Sequence, residues 1–134
     1  MYRRTQRFQD FELECRMLTR PALLLRVEGS LLFAVSIICY YEIHASWILF
    51  AVLILAPDLS IAGYFANAKI GATIYNAVHT LIGPLLLLAY ALLTAHPALL
   101  PYGLIWTAHL GMDRMIGAGL KYPTQFKDTH LQHV

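Results

Sequence analysis

Six ionisable side chains interrupt otherwise apolar stretches of this sequence: Glu28, Asp58, His79, His109, Asp113 and Arg114. On a helix His109 and Asp113 stand at i,i+4 and share a face. An imidazole and a carboxylate one turn apart can ligate one metal ion, as the two histidines of a zinc-protease helix do. Asn76 and His79 share a face at i,i+3, with Thr80 beside them. Asp58 follows Pro57, which frees a backbone carbonyl and can bend its helix towards the bundle axis. Together Asp58, His79, His109 and Asp113 offer two carboxylates and two imidazoles, a set suited to zinc, manganese or iron. Water on such an ion is a hydrolytic nucleophile near neutral pH. Glu28 would then be the general base, and Arg114 and Lys121 an anion clamp. Asn76 is a candidate for holding the cofactor, as is His130 if the tail folds back. The competing expectation is that these groups only hydrogen-bond across helices, with Arg114 snorkelling to the headgroups.

These residues sit in a chain of 134 residues, enough for one domain, that is 58% hydrophobic and 13% charged. A soluble domain carries roughly 25% charged residues, so the composition places the chain in a lipid bilayer. A net charge of +2 and the lack of a basic helix interleaved with aromatics exclude nucleic acid. Cys15 and Cys39 have no redox or metal-ligand spacing and read as reduced. No cleavable signal peptide precedes the first apolar stretch.

Crossing about 30 Å of hydrocarbon takes about 20 helical residues, and the sequence supplies four candidates. They run from Pro21 to Ile43, Trp47 to Tyr64, Gly71 to Leu93, and Tyr102 to Leu120. Pro57-Asp58 interrupts the second, and Gly83-Pro84 is expected to kink the third. Residues 1–20 read as a polar tail or an interfacial helix, and residues 121–134 as a polar tail. The spans are apolar nearly all round, which a soluble helix is not. The predicted fold is all-α: a polytopic transmembrane four-helix bundle, up-down-up-down. In that order all ten Lys and Arg residues fall on one side, which the positive-inside rule makes cytoplasmic. Both termini are therefore expected in the cytoplasm. The same order brings the polar residues of all four spans to one level, in the cytoplasmic half of the bilayer. His44 and His96 fall in the opposite turns, and Gly111, Gly117 and Gly119 read as packing positions.

The chain resembles the small bacterial membrane proteins grouped as domain of unknown function family forty-two sixty. The resemblance is carried by Leu55-Ala56-Pro57-Asp58-Leu59-Ser60, Gly63-Tyr64, and Tyr75-Asn76-Ala77-Val78-His79-Thr80 with Gly83-Pro84. It continues through His109-Leu110-Gly111-Met112-Asp113-Arg114, Gly119-Leu120-Lys121-Tyr122-Pro123 and Phe126-Lys127-Asp128-Thr129-His130-Leu131. Arg26 and Glu28 match the Arg-x-Glu start, so coverage runs from about Leu23 to Leu131. Ala118 departs from the pattern, which has Tyr there. The resemblance implies a four-helix inner-membrane protein and no particular activity. Pro57-Asp58 and Thr129-His130 are also similar to strings in membrane-bound metal-dependent hydrolases.

The leading functional expectation is a membrane-embedded, metal-dependent hydrolase with a cytoplasm-facing pocket and a lipid-linked or anionic substrate. A proton or ion transport module is the second. The third is a non-enzymatic scaffold or partner subunit. A homodimer is compatible with four short helices, which bury little.

Overall fold

The structure is a computed structural model that describes residues 20–121. The expected interfacial helix or polar tail at 1–19, and the tail that carries His130, lie outside the described residues. Within them the chain is helical and forms four rods.

The first rod is α1, Pro21–Glu42. It opens on proline, which suits a first-turn position where no N–H partner exists. The second begins as α2, Trp47–Leu53, where the Ser46 side chain accepts from the Leu49 amide at 3.4 Å. Tyr40 closes the turn between them. Its hydroxyl donates to the Ser46 carbonyl at 2.7 Å, and its ring meets Trp47 and Phe50 at 5.2 and 5.1 Å.

Two prolines then shape the rods that carry the polar residues. A proline lacks an N–H, and its ring opposes the carbonyl four residues earlier. Pro57 opposes Leu53, where α2 ends, and the chain continues as a 3-10 segment, Ala56–Phe65. Pro84 opposes Thr80. There α3, Ala68–His79, gives way to an extended Thr80 with φ −83° and ψ 146° before α4, Ile82–Leu93. The kink expected at Gly83-Pro84 is thus a break, and it falls at Thr80. The break frees the Val78 carbonyl, which accepts from Trp106 Nε1 at 2.8 Å. The N-terminus of α3 is capped by Asn67, whose Oδ1 accepts from the Ile70 amide at 2.8 Å.

The last rod, α5, spans Leu100–Ile116, with eight buried residues, and is the most enclosed. It stops short of the expected Leu120 because Gly117 adopts φ +89°, a left-handed conformation suited to glycine. The chain turns back there. The Lys121 amide donates to Asn76 Oδ1 at 2.7 Å, and Asn76 Nδ2 donates to the Lys121 carbonyl at 2.8 Å.

Packing centres on α5. The broadest contact joins α1 to α5, while α4 also lies on α5 and α3 lies on the 3-10 segment. Gly29 and Gly111 let the α1 and α5 backbones touch. A Cβ at Gly111 would lie 2.6 Å from the Phe33 nitrogen and 2.9 Å from the Gly29 oxygen. Outward faces are apolar: Ile48, Leu59 and Leu93 are 79%, 77% and 87% exposed. Three stretches are long and apolar enough to cross a membrane: Pro21–Glu42, Trp47–Phe65 and Ala68–Leu93. The fourth rod, at 17 residues, is the helix that the others surround.

Because the obstacle at Gly111 is backbone, Gly111→Ala should force α1 and α5 apart. The expected loss is about 1–3 kcal/mol, seen as a lower thermal midpoint in detergent. An unchanged midpoint would show that the two helices do not meet there.

Candidate metal centre

Each candidate ligand owes its position to one of the features above. Asp58 lies one residue past Pro57, in the tight 3-10 winding, where its amide donates to the Leu55 carbonyl at 3.1 Å. His79 is the last residue of α3, at the break that Pro84 imposes. His109 and Asp113 project one turn apart from the buried face of α5.

Their ligand atoms converge. Nε2 of His79 lies 3.3 Å from Nε2 of His109, 3.6 Å from Asp58 Oδ1 and 3.5 Å from Asp113 Oδ2. Nε2 of His109 lies 3.5 Å from Asp58 Oδ1 and 3.6 Å from Asp113 Oδ2. One ligand atom from each of the four residues falls within 4.8 Å of all the others. A tetrahedron of donors about 2.0–2.1 Å from a central zinc has edges of about 3.3–3.4 Å. Five of the six edges here are 3.3–3.6 Å, so the group has nearly that size.

Proton placement sharpens the picture. His79 Nδ1 lies 2.9 Å from the Tyr75 carbonyl, which can only accept, so the proton of a neutral His79 sits on Nδ1. Its Nε2 then turns a lone pair towards the other three residues, the usual arrangement of a metal-ligating histidine. Two carboxylate oxygens face the same point. His109 is the exception. Its Nδ1 is buried and has no hydrogen-bond partner among the described residues, so the proton of a neutral His109 sits on Nε2 and donates to His79 Nε2, and a metal ion would have to displace it to Nδ1. Acceptors packed this closely repel unless a cation, metal or proton, lies among them.

Access is one-sided. The side chains of His79, His109 and Asp113 are 3%, 0% and 11% exposed, and that of Asp58 is 38%. The opening is at Asp58, so the cluster can be reached from one side only. Beside His79 and Asp113 lies a cavity of about 10 Å³ that Arg114 and Ala118 also line. It has room for about one water molecule.

The other expected site residues fall around this group in different ways. Lys121 comes close: its Nζ stands 4.4 Å over the Tyr75 ring and 5.8 Å over that of Tyr64. Burial pushes the Lys121 ammonium below its ordinary range, while the Asp113 and Asp58 carboxylates pull it back up. Arg114 reaches the rim of the small cavity. Asn76 uses its amide on the Lys121 backbone and so positions that lysine. Glu28 is exposed on α1 and does not join the group. Level along a helix does not determine azimuth, and the inward residue there is its neighbour Gly29.

Tyr75 belongs to the site although its chemistry was not anticipated. Its hydroxyl donates to Asp113 Oδ2 at 3.2 Å, and its ring stacks on His79 with centroids 3.6 Å apart. The signal was present in the i,i+4 spacing of Tyr75 and His79.

These features describe an all-helical protein with membrane-length apolar helices and a buried His/Asp cluster. The family model described as Domain of unknown function (DUF4260) matches residues 22–134, and the chain belongs to that family. No curated protein and no solved structure matches it.

Removing the Asn76 amide should release the segment after Gly117. In Asn76→Ala the Lys121 amide loses its acceptor, and its hydrogen exchange should quicken by about five- to tenfold, since one such bond contributes about 1–1.4 kcal/mol. Exchange at the wild-type rate would mean that other contacts hold the segment.

Proposed function

We propose that this protein is an integral membrane metalloprotein whose centre is formed by Asp58, His79, His109 and Asp113, and that the centre is hydrolytic. The observation that carries the reading is the convergence of four ligand atoms at tetrahedral spacing, with the His79 proton held away on the Tyr75 carbonyl. The nitrogen and oxygen donors, with no thiolate, favour zinc, manganese or iron. A divalent ion held there would lower the pKa of a bound water to about 7. Four protein donors fill a tetrahedron, so the water would enter as a fifth ligand or in place of Asp58, the one ligand with an exposed side. Tyr75 orients Asp113, and Lys121 and Arg114 supply positive charge for an anionic group. Glu28, exposed on α1, has no part in this version of the site.

The location we propose is the bacterial cytoplasmic membrane, with both termini in the cytoplasm. All ten basic residues fall on that side when the four rods alternate in direction.

Elemental analysis of the purified protein tests the centre. It should contain about one zinc, manganese or iron per chain, falling to background in His79→Ala and Asp113→Asn variants that keep their helical content. Tyr75→Phe should retain the site but bind about 10–100-fold more weakly, the usual effect of removing a partner that orients a ligand. A protein that is purified without metal and takes up none on dialysis would overturn the reading. Release of p-nitrophenol from an ester or phosphate, abolished by chelator and restored by metal, would support hydrolysis. Metal bound without hydrolysis would leave a structural or transport centre.

A further inference from the structure

Next to the centre lies a second cavity, of about 240 Å³, walled by Leu53, Pro57, Val78, Tyr102, Ile105 and Trp106. It is larger than the roughly 150 Å³ apolar cavity that takes up benzene. Its position relative to the ligands is ordered. Pro57 precedes Asp58, Val78 precedes His79, and Ile105 is one turn before His109. Tyr102 is a turn further on, about 10 Å along α5 from His109 at 1.5 Å per residue. The groove is therefore apolar throughout, with none of the four ligands in its wall, and it runs beside α5 from the level of Tyr102 towards the level of His109. Lys121 lies beyond the ligands, over the Tyr75 ring and paired with Asn76.

We infer that this groove seats one hydrocarbon chain of a membrane lipid, with the ester or phosphoester end of that lipid at the Asp58–His79 side. The inference rests on the metal-centre reading and names the substrate class of that site. The occupant follows from the surroundings. The outward faces of this chain are apolar and of membrane length, so the molecules that reach an apolar groove are lipid tails. Tails gain little hydrophobic free energy by moving from bilayer to groove. Preference for one lipid must therefore come from beyond the groove, where Lys121 and the metal ligands are. A soluble substrate would have no use for a groove that runs away from the polar segment.

Two photoactivatable fatty acids test this, with the metal-loaded full chain in phosphatidylcholine nanodiscs. One carries its diazirine near the carboxyl and the other near the methyl end. The first should label peptides containing Pro57 and Val78, and the second those containing Leu53 and Tyr102. Ala56→Phe or Val78→Phe, which fill the groove, should each lower labelling about tenfold, equivalent to about 1.4 kcal/mol, without loss of metal. Labelling spread over outward residues such as Ile48, Leu86 and Leu93, with no difference between the probes and no response to either substitution, would overturn the inference. Groove labelling in a chain found to be metal-free would overturn the metal-centre reading and leave the hydrocarbon seat standing. Metal bound without groove labelling would do the reverse.

Discussion

Lone pairs crowded into a dry interior repel one another, and the interior of this bundle is arranged to crowd them. Two carboxylate oxygens and the Nε2 atoms of two imidazoles, that of His79 being unprotonated in its neutral form, meet within 4.8 Å, five of their six separations being 3.3–3.6 Å. Separating such groups from water is costly unless they are paired. A cation, or the proton of His109 on Nε2, must lie among these four residues from three rods. The enclosing of α5, the tight α1–α5 crossing and the folding back of the segment after Gly117 keep that point small and closed on every side but that of Asp58.

Two breaks in helical continuity hold the arrangement. Pro57 converts the second rod to 3-10 winding one residue before Asp58. Pro84 ends α3 at His79. A continuous helix in a membrane satisfies its own backbone and can do little else. A broken one must find outside partners for its freed groups, and it does so only where protein rather than lipid surrounds it. Trp106 serves the Val78 carbonyl for that reason, which ties α5 to the break and sets His109 opposite His79. The same tryptophan walls the apolar groove, so one side chain links the His/Asp cluster to that groove.

Much of this was legible in the residues themselves. Apolar runs of spanning length defined the all-helical fold, and alternation of helix direction put Asp58, His79, His109 and Asp113 at one height. The i,i+4 spacing of His109 and Asp113 already placed both on one face. Other features depend on information that a height cannot carry. Glu28 lies at the right level but faces outward, because azimuth is set by the glycine contact beside it. Pro84 was visible, but its effect is felt four residues earlier, at the carbonyl that its ring opposes. The last helix ends at Ile116 because Gly117 takes a positive φ, and hydrophobicity does not report a backbone sign. Lys121 was expected as the first residue of a polar tail and as part of an anion clamp, and it lies over Tyr75 through a pairing with Asn76 across 45 positions of chain.

The central claim is that these four side chains ligate one cation directly. X-ray absorption at the edge of whatever metal the purified protein carries tests it most directly. The account predicts a first shell of nitrogen and oxygen at about 2.0–2.1 Å, with outer-shell scattering from two imidazole rings and no sulfur. A shell of water oxygens without imidazole scattering would mean that His79 and His109 face each other for some other reason.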